Sequence, residues 1–132
     1  MDAARMPLYH VWFATKQRKW LLQGDIAEAA KELMWTVATE KNIKLMECET
    51  MVDHVHLLIE AEDRTRLAKV TNLLKGASSR RLFQRFPELK LDAGISSFWQ
   101  HRYAAREVPV LAAAPVGRYI RTQWERLDKY ER

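Results

Sequence analysis

The chain predicts an α+β fold: a ferredoxin-like, split β-α-β antiparallel sheet with an additional C-terminal helix that carries a tyrosine. Three observations point there. Apolar residues recur at helical spacing in two long stretches, residues 26–37 and 67–77. Aromatic and β-branched residues gather in four short stretches that read as strands. The two middle strands are separated only by Val52-Asp53, a tight-turn pair, which makes them a hairpin.

Taken in order, Leu8–Thr15 alternates and is rich in aromatic and branched side chains, so it is expected as a strand. A basic loop follows. Asp25 with Glu28 resembles a capping box, and Ile26, Ala29, Ala30, Leu33, Met34 and Val37 then predict a helix over residues 25–41. Ile43–Met51 and His54–Ala61 form the hairpin. Asp63 or Thr65 can cap a second helix, whose buried stripe is Leu67, Val70, Leu74 and Ala77 and which stops before Pro87. Gly76 inside it costs about 1 kcal/mol relative to alanine, which calls for close packing or a close ligand. Residues 87–97 read as loop and Phe98–Glu107 as a fourth strand. Pro115 suits a first helical turn, and Gly117–Tyr130 is the final helix. In this plan the first and third strands are central. Two helices cover one face of the sheet, and only the last helix remains to cover the other.

At 132 residues the chain is expected to be one domain, 1–132, that buries roughly two-thirds of its unfolded surface. Its 48% apolar and 30% charged residues are those of a globular protein in water. One cysteine, Cys48, excludes an internal disulfide and a cysteine-rich zinc knuckle, and fits a reducing cytoplasm. No secretory signal and no membrane segment are expected. The longest uncharged apolar run, Val108–Gly117, holds Pro109 and Pro115 and is too short to span a bilayer. A net charge of +5 permits nucleic-acid binding. No Gly-x-x-x-x-Gly-Lys phosphate loop is present, so no nucleotide cofactor is expected.

The chemistry centres on "VDHVHLLIE" at 52–60. Side chains alternate along a strand, so His54 and His56 share a face, roughly 6.6 Å apart along the chain. Two imidazoles at that spacing can reach one metal ion. The same pair also fits two satisfied surface histidines. On the last helix Tyr119 and Gln123 are four residues apart and lie on one side. If that helix lies over the open face, a phenol and an amide oxygen meet the imidazoles. A metal on two neutral imidazoles and an amide keeps its charge and open positions for phosphate oxygens. A tyrosine beside it could attack phosphorus, giving a phosphotyrosine link whose rejoining needs no ATP.

These residues sit in a longer pattern. "YHVWFATKQRK" at 9–19, "DHVHLLIE" at 53–60, "LLKGASSRRLFQRFP" at 73–87, "FWQHRYAA" at 98–105 and "VGRYIRTQ" at 116–123 together resemble the single-tyrosine HUH transposases of the insertion sequence 200/605 group. The histidine–hydrophobic–histidine element alone is shared with rolling-circle initiators and relaxases. Its combination with Lys-Gly-x-Ser-Ser-Arg and Tyr-Ile-x-x-Gln is more specific. The resemblance implies a transposase that cuts and rejoins single-stranded DNA at mobile-element ends in a bacterial or archaeal cell. Tyr119 would be the nucleophile carrying a 5′-phosphate. His54, His56 and Gln123 would hold one magnesium or manganese ion per active site. It further implies hairpin-ended DNA and a homodimer with active sites shared between subunits. The alternatives are another HUH endonuclease or a domesticated, non-catalytic ferredoxin-like nucleic-acid binder.

Phosphate contacts are expected from Lys16, Arg18 and Lys19 after the first strand and from Lys75, Arg80, Arg81 and Arg85 on the second helix. A solvated basic face is the other reading of the same residues. Ser78 and Ser79 could bond phosphate or line the helix. Trp20, beside the basic loop, is the tryptophan best placed to stack on a base. His10 and His101 read as structural. Tyr9, Tyr103 and Tyr130 rank below Tyr119 as nucleophiles. Asp53 reads as a turn residue and Glu60 as a solvated strand end, although either could be an accessory ligand.

Overall fold

A computed structural model describes residues 6–123. Four strands form one antiparallel sheet: β1 Leu8–Ala14, β2 Lys44–Met51, β3 His54–Glu60 and β4 Ala104–Val108, in the spatial order β2-β3-β1-β4. β1 and β3 are therefore central, as the split β-α-β plan requires. Trp12 lies opposite His56, and the β2–β3 register shifts between Leu45 and Glu47 at a bulge that leaves Met46 half exposed.

Alternation along the central strands divides the molecule. Tyr9, Val11 and Phe13 of β1 and Val55, Leu57 and Ile59 of β3 point into the core. There they meet the apolar stripes of α1 (Gly24–Glu40) and α2 (Arg64–Arg85), among them Ala30, Met34, Val37, Leu67, Val70 and Leu74. His10, Trp12, His54, His56 and Leu58 occupy the opposite face. α4 (Ala113–Arg121) covers part of that face, burying Ile120 against Leu58 and Val108, with Leu8, Ala112 and Val116 packed around them. Arg121 pairs with Glu47 of β2 and lies beside Gly117 on the same helix.

Several elements depart from expectation. The Asp25–Glu28 capping box does not form: α1 starts at Gly24 (φ +56°), after an extended Gln23, and Asp25 sits in the first turn, where its charge suits the helix dipole. Asp63 does cap α2, accepting from the Arg66 N–H at 2.8 Å. Within 87–97 there is a short helix, α3 (Glu88–Asp92), held down by buried Leu89. The fourth strand begins at Ala104 rather than Phe98. Phe98 and Trp99 are both buried, a consecutive pair that a strand's alternation cannot provide, and Trp99 makes only an isolated bridge to Thr15. The last helix begins at Ala113, after a 3-10 turn at Val110–Ala112, so Pro115 lies within its first turn. The rest of the expected final helix, with Trp124 and Tyr130, lies outside the described residues.

Candidate active site on the open sheet face

Because β3 is central and starts at His54, both histidines are held at one end of the sheet, with Val55 between them locked in the core. The His54 and His56 Nε2 atoms converge to 3.1 Å. Their outer nitrogens are also engaged. His54 Nδ1 lies 2.7 Å from an Asp53 carboxylate oxygen. His56 Nδ1 lies 2.9 Å from His10 Nε2, across the β1–β3 pairing. Arg18 closes the far end with a 3.1 Å ion pair to Asp53. A continuous polar row thus runs Arg18–Asp53–His54–His56–His10.

Charge along the row follows from its surroundings. Burial, with Arg106 nearby, lowers the His10 pKa to about 4. Burial again, with His54 and His10 adding repulsion, lowers His56 to about 3. Both imidazoles are therefore neutral at physiological pH, the state a metal ligand must have. Burial alone would raise the Asp53 carboxyl, but the hydrogen bonds and charges of His54 and Arg18 more than offset it and hold Asp53 below the ordinary value. An anionic Asp53 accepts a hydrogen bond from the His54 Nδ1–H, the tautomer that leaves Nε2 as the lone-pair donor. This carboxylate–histidine arrangement is the outer support typical of imidazole metal ligands.

Two nitrogens 3.1 Å apart suit adjacent positions around one divalent ion about 2.0–2.2 Å from each. The residues present therefore fit a metal, as a partial set. Among the described residues no group of three or more His, Cys, Asp or Glu side chains is placed to hold one. His54 and His56 would hold such an ion. Gln123 has its side-chain nitrogen donating at 2.8 Å to the Tyr119 carbonyl of its own helix.

Tyr119 reaches the same face. Its ring stands edge-on to those of His56 and His10, with centroids 6.2 Å away in each case, and about a third of it is exposed. The rival nucleophiles are elsewhere. Tyr9 is buried in the core with its phenol pKa raised by burial, and Tyr103 packs against the helix-side core.

The seven basic residues expected at DNA separate into distinct environments. Lys75 is not on a solvated face. It is 8% exposed, its Nζ donates to the carbonyls of His101 (3.0 Å) and Arg102 (3.2 Å), it lies 5.3 Å from the centre of the Phe13 ring, and burial lowers its pKa. Arg81 and Arg85 pair with Glu40 and Glu32 of α1. Arg18 pairs with Asp53. Arg80, Lys16 and Lys19 have no carboxylate partner among the described residues. Trp20 is 70% exposed next to the Lys16–Arg18 turn. Ser78 and Ser79 serve the fold: the Trp99 indole N–H donates to Ser78 Oγ at 2.9 Å, and the Phe98 N–H donates to Ser79 Oγ at 3.1 Å.

Two participants have roles that the sequence reading did not give them. Asp53 is more than a turn residue, because the turn puts its carboxylate on His54. His10 is more than structural padding. The β1–β3 register sets Trp12 opposite His56, so His10, two residues away on the same face, is its diagonal neighbour. Knowing the register would have found it.

Fold and face define a ferredoxin-like domain in which a supported histidine pair and a tyrosine share one surface. Comparison with known proteins carries this to a family. Residues 6–123 match the family described as "Transposase IS200 like", and the chain belongs to it. It is 30% identical over 118 residues to the ISDra2 transposase TnpA of Deinococcus radiodurans, covering 89% of this chain and 84% of that one. It is likewise 30% identical over 117 residues to the transposase for insertion sequence element IS200 of Salmonella typhimurium, covering 89% and 76%. Among solved structures it resembles a crystal structure of a candidate transposase from Deinococcus radiodurans R1, with a TM-score of 0.70, 34% identity and 88% and 89% coverage. The fold is also that of a REP-associated tyrosine transposase bound to a REP hairpin, with a TM-score of 0.55, 11% identity and 90% and 67% coverage. Among the described residues no helix is long and apolar enough to cross a membrane.

Proposed function

We propose that this transposase cleaves and rejoins single-stranded DNA at the hairpin-bearing ends of a mobile element through a 5′-phosphotyrosine intermediate formed on Tyr119. The observation that carries this reading is the seating of the Tyr119 ring against His56 and His10, on the face where the His54 and His56 nitrogens converge. The phenol oxygen forms a bond to phosphorus while the bond from phosphorus to the preceding 3′ oxygen breaks. The phenol proton is released, and the departing oxygen takes up a proton as a free 3′ hydroxyl. The 3′ hydroxyl of another strand end reverses the step and frees the tyrosine, so the energy of the phosphodiester is kept.

His54 and His56, with Gln123, would hold magnesium or manganese, one ion per site. When bound, the ion supplies Lewis-acid polarisation of the phosphodiester and stabilises the charge that develops in displacement. Asp53 and His10 fix the two rings so that their Nε2 lone pairs face one point. Imidazole is softer than magnesium prefers, so manganese should serve as well or better. We place the reaction in the cytoplasm and in a homodimer, as the family resemblance implies.

The test is a covalent adduct. Purified protein with manganese and single-stranded DNA carrying an element end should give a protein–DNA species that survives denaturation. It should vanish in Tyr119→Phe and on metal chelation. An adduct persisting in Tyr119→Phe would overturn the nucleophile assignment. Binding without any adduct in the wild type would leave a nucleic-acid binder instead.

A further inference from the structure

Gly76 raises a question that packing does not answer. It lies inside α2 and is exposed, and a Cβ built on it meets nothing within 4 Å. Neither close packing nor backbone strain requires glycine there, although alanine would favour the helix. The backbone there is open to something outside the chain.

The space over Gly76 is a groove of about 1110 Å³ between α2 and residues 96–103, larger than the roughly 300–1,000 Å³ of a small-molecule pocket. Its charged lining is entirely basic: Lys75, Arg80, Lys90 and Arg102, with no Asp or Glu. Lys75 is turned inward to backbone carbonyls and Lys90 lies over the Phe83 ring. Arg80 and Arg102 remain, without a carboxylate partner among the described residues. Phe83 and Tyr103 add aromatic surface, and Asn72 and Gln100 add hydrogen-bonding edges.

The Lys-Gly-x-Ser-Ser-Arg run thus divides its work. Lys75, Ser78 and Ser79 fasten the 98–102 segment as one wall, which the Gln100 N–H further ties to the Ala14 carbonyl at 2.9 Å. Gly76 and Arg80, four residues apart, face the groove. The wall also leads to the histidines: Trp99 bridges to Thr15, and the Thr15 N–H donates to the carbonyl of Asp53, next to His54.

We infer that this groove binds single-stranded DNA, with the sugar-phosphate backbone crossing Gly76 between Arg80 and Arg102 and a base resting on Tyr103. A basic, aromatic-lined channel with a bare floor matches unpaired nucleic acid, whose bases are free to stack. Duplex DNA offers no such faces. The inference rests on the reading above that the protein handles single-stranded DNA, but its test needs no chemistry.

Fluorescence anisotropy is measured with a labelled hairpin-free thymidine oligonucleotide, in a Tyr119→Phe background with chelator, so that only binding is read. Gly76→Leu should weaken binding at least tenfold while circular dichroism stays native. Gly76→Ala should raise Tm by about 3–5 °C yet weaken binding. Arg80→Ala with Arg102→Ala should reduce the slope of log affinity against log salt by about 1.4, some 0.7 for each lost phosphate contact. Affinity for a blunt duplex of equal length should change much less. Unchanged affinity in folded Gly76→Leu, an unchanged salt slope, or an equal loss for the duplex would each overturn the groove assignment. The phosphotyrosine reading would survive that failure, since the adduct assay decides it separately.

Discussion

Replacing His10 with phenylalanine separates support of the site from support of the fold. The ring is 4% exposed, with Nε2 on His56 Nδ1 at 2.9 Å and a buried Nδ1 that has no partner among the described residues. An unsatisfied buried polar atom costs about 1–3 kcal/mol. Phenylalanine keeps the ring volume and removes that orphan, but strands the nitrogen of His56 that His10 had engaged. One orphan replaces another, so the net change in stability should lie within about 1 kcal/mol.

Metal affinity should behave differently. To present Nε2 to a cation, His56 must carry its proton on Nδ1 and donate it to His10. Without that acceptor, the ring loses both its orientation and the stabilisation of the tautomer it needs. Removing such outer partners typically costs 10–100-fold in metal affinity, which is about 1.4–2.7 kcal/mol. Manganese titration followed by the electron spin resonance of the free ion, beside thermal unfolding of the metal-free protein, reads both quantities. Unchanged manganese affinity at native stability would refute the argument. So would a stability loss of several kcal/mol, which would make His10 a packing residue first.

Acid should destabilise the fold in a defined window. The folded pKa values of His10 and His56 are lowered to about 4 and about 3, so below the ordinary histidine value near 6.5 the unfolded chain binds protons that the native state refuses. The stabilisation is complete above pH 6.5 and is lost as pH falls through the folded values, at up to about 1.4 kcal/mol per pH unit for each histidine. Calorimetric Tm should therefore fall between pH 7 and 5, and less steeply in His10→Phe. Lys75→Met should cost about 1–3 kcal/mol in urea unfolding, because two carbonyls lose their donor. Asp53→Asn should lower manganese affinity 10–100-fold, measured by the same titration.

Period-two alternation made the sheet legible: Val55 between the two histidines, buried to 0% exposure, requires that His54 and His56 share the other face. The split β-α-β order then put that face at the centre of the sheet. What the sequence hid were partnerships set by register and by α1. Nothing local distinguishes Arg80 from Arg81, yet Arg81 is tied to Glu40, 41 residues earlier in the chain. Lys75 looked like one more surface cation because its acceptors are backbone carbonyls, which leave no trace in side-chain chemistry. The 98–103 segment misled for a related reason: its aromatic residues have strand propensity, but tertiary anchoring by Lys75, Ser78 and Ser79 takes precedence over it.

The two halves of the site are held with unequal force. The histidines stand on a central strand paired on both sides, each with an outer hydrogen-bond partner, so their geometry is as rigid as the core beneath. Tyr119 rides on a nine-residue helix that buries Gly117 and Ile120 and forms the Arg121–Glu47 pair with β2. Full burial of one isoleucine is worth about 1.5–3 kcal/mol, and a half-exposed ion pair adds at most about 1 kcal/mol. The described contacts of α4 are thus worth a few kcal/mol, against central strands paired on both sides. That asymmetry suits covalent catalysis on a polymer. Under the proposed phosphotyrosine reading, the half that would polarise the phosphodiester is held fixed, while the half that would become bonded to DNA is held by contacts that can release without unfolding the domain.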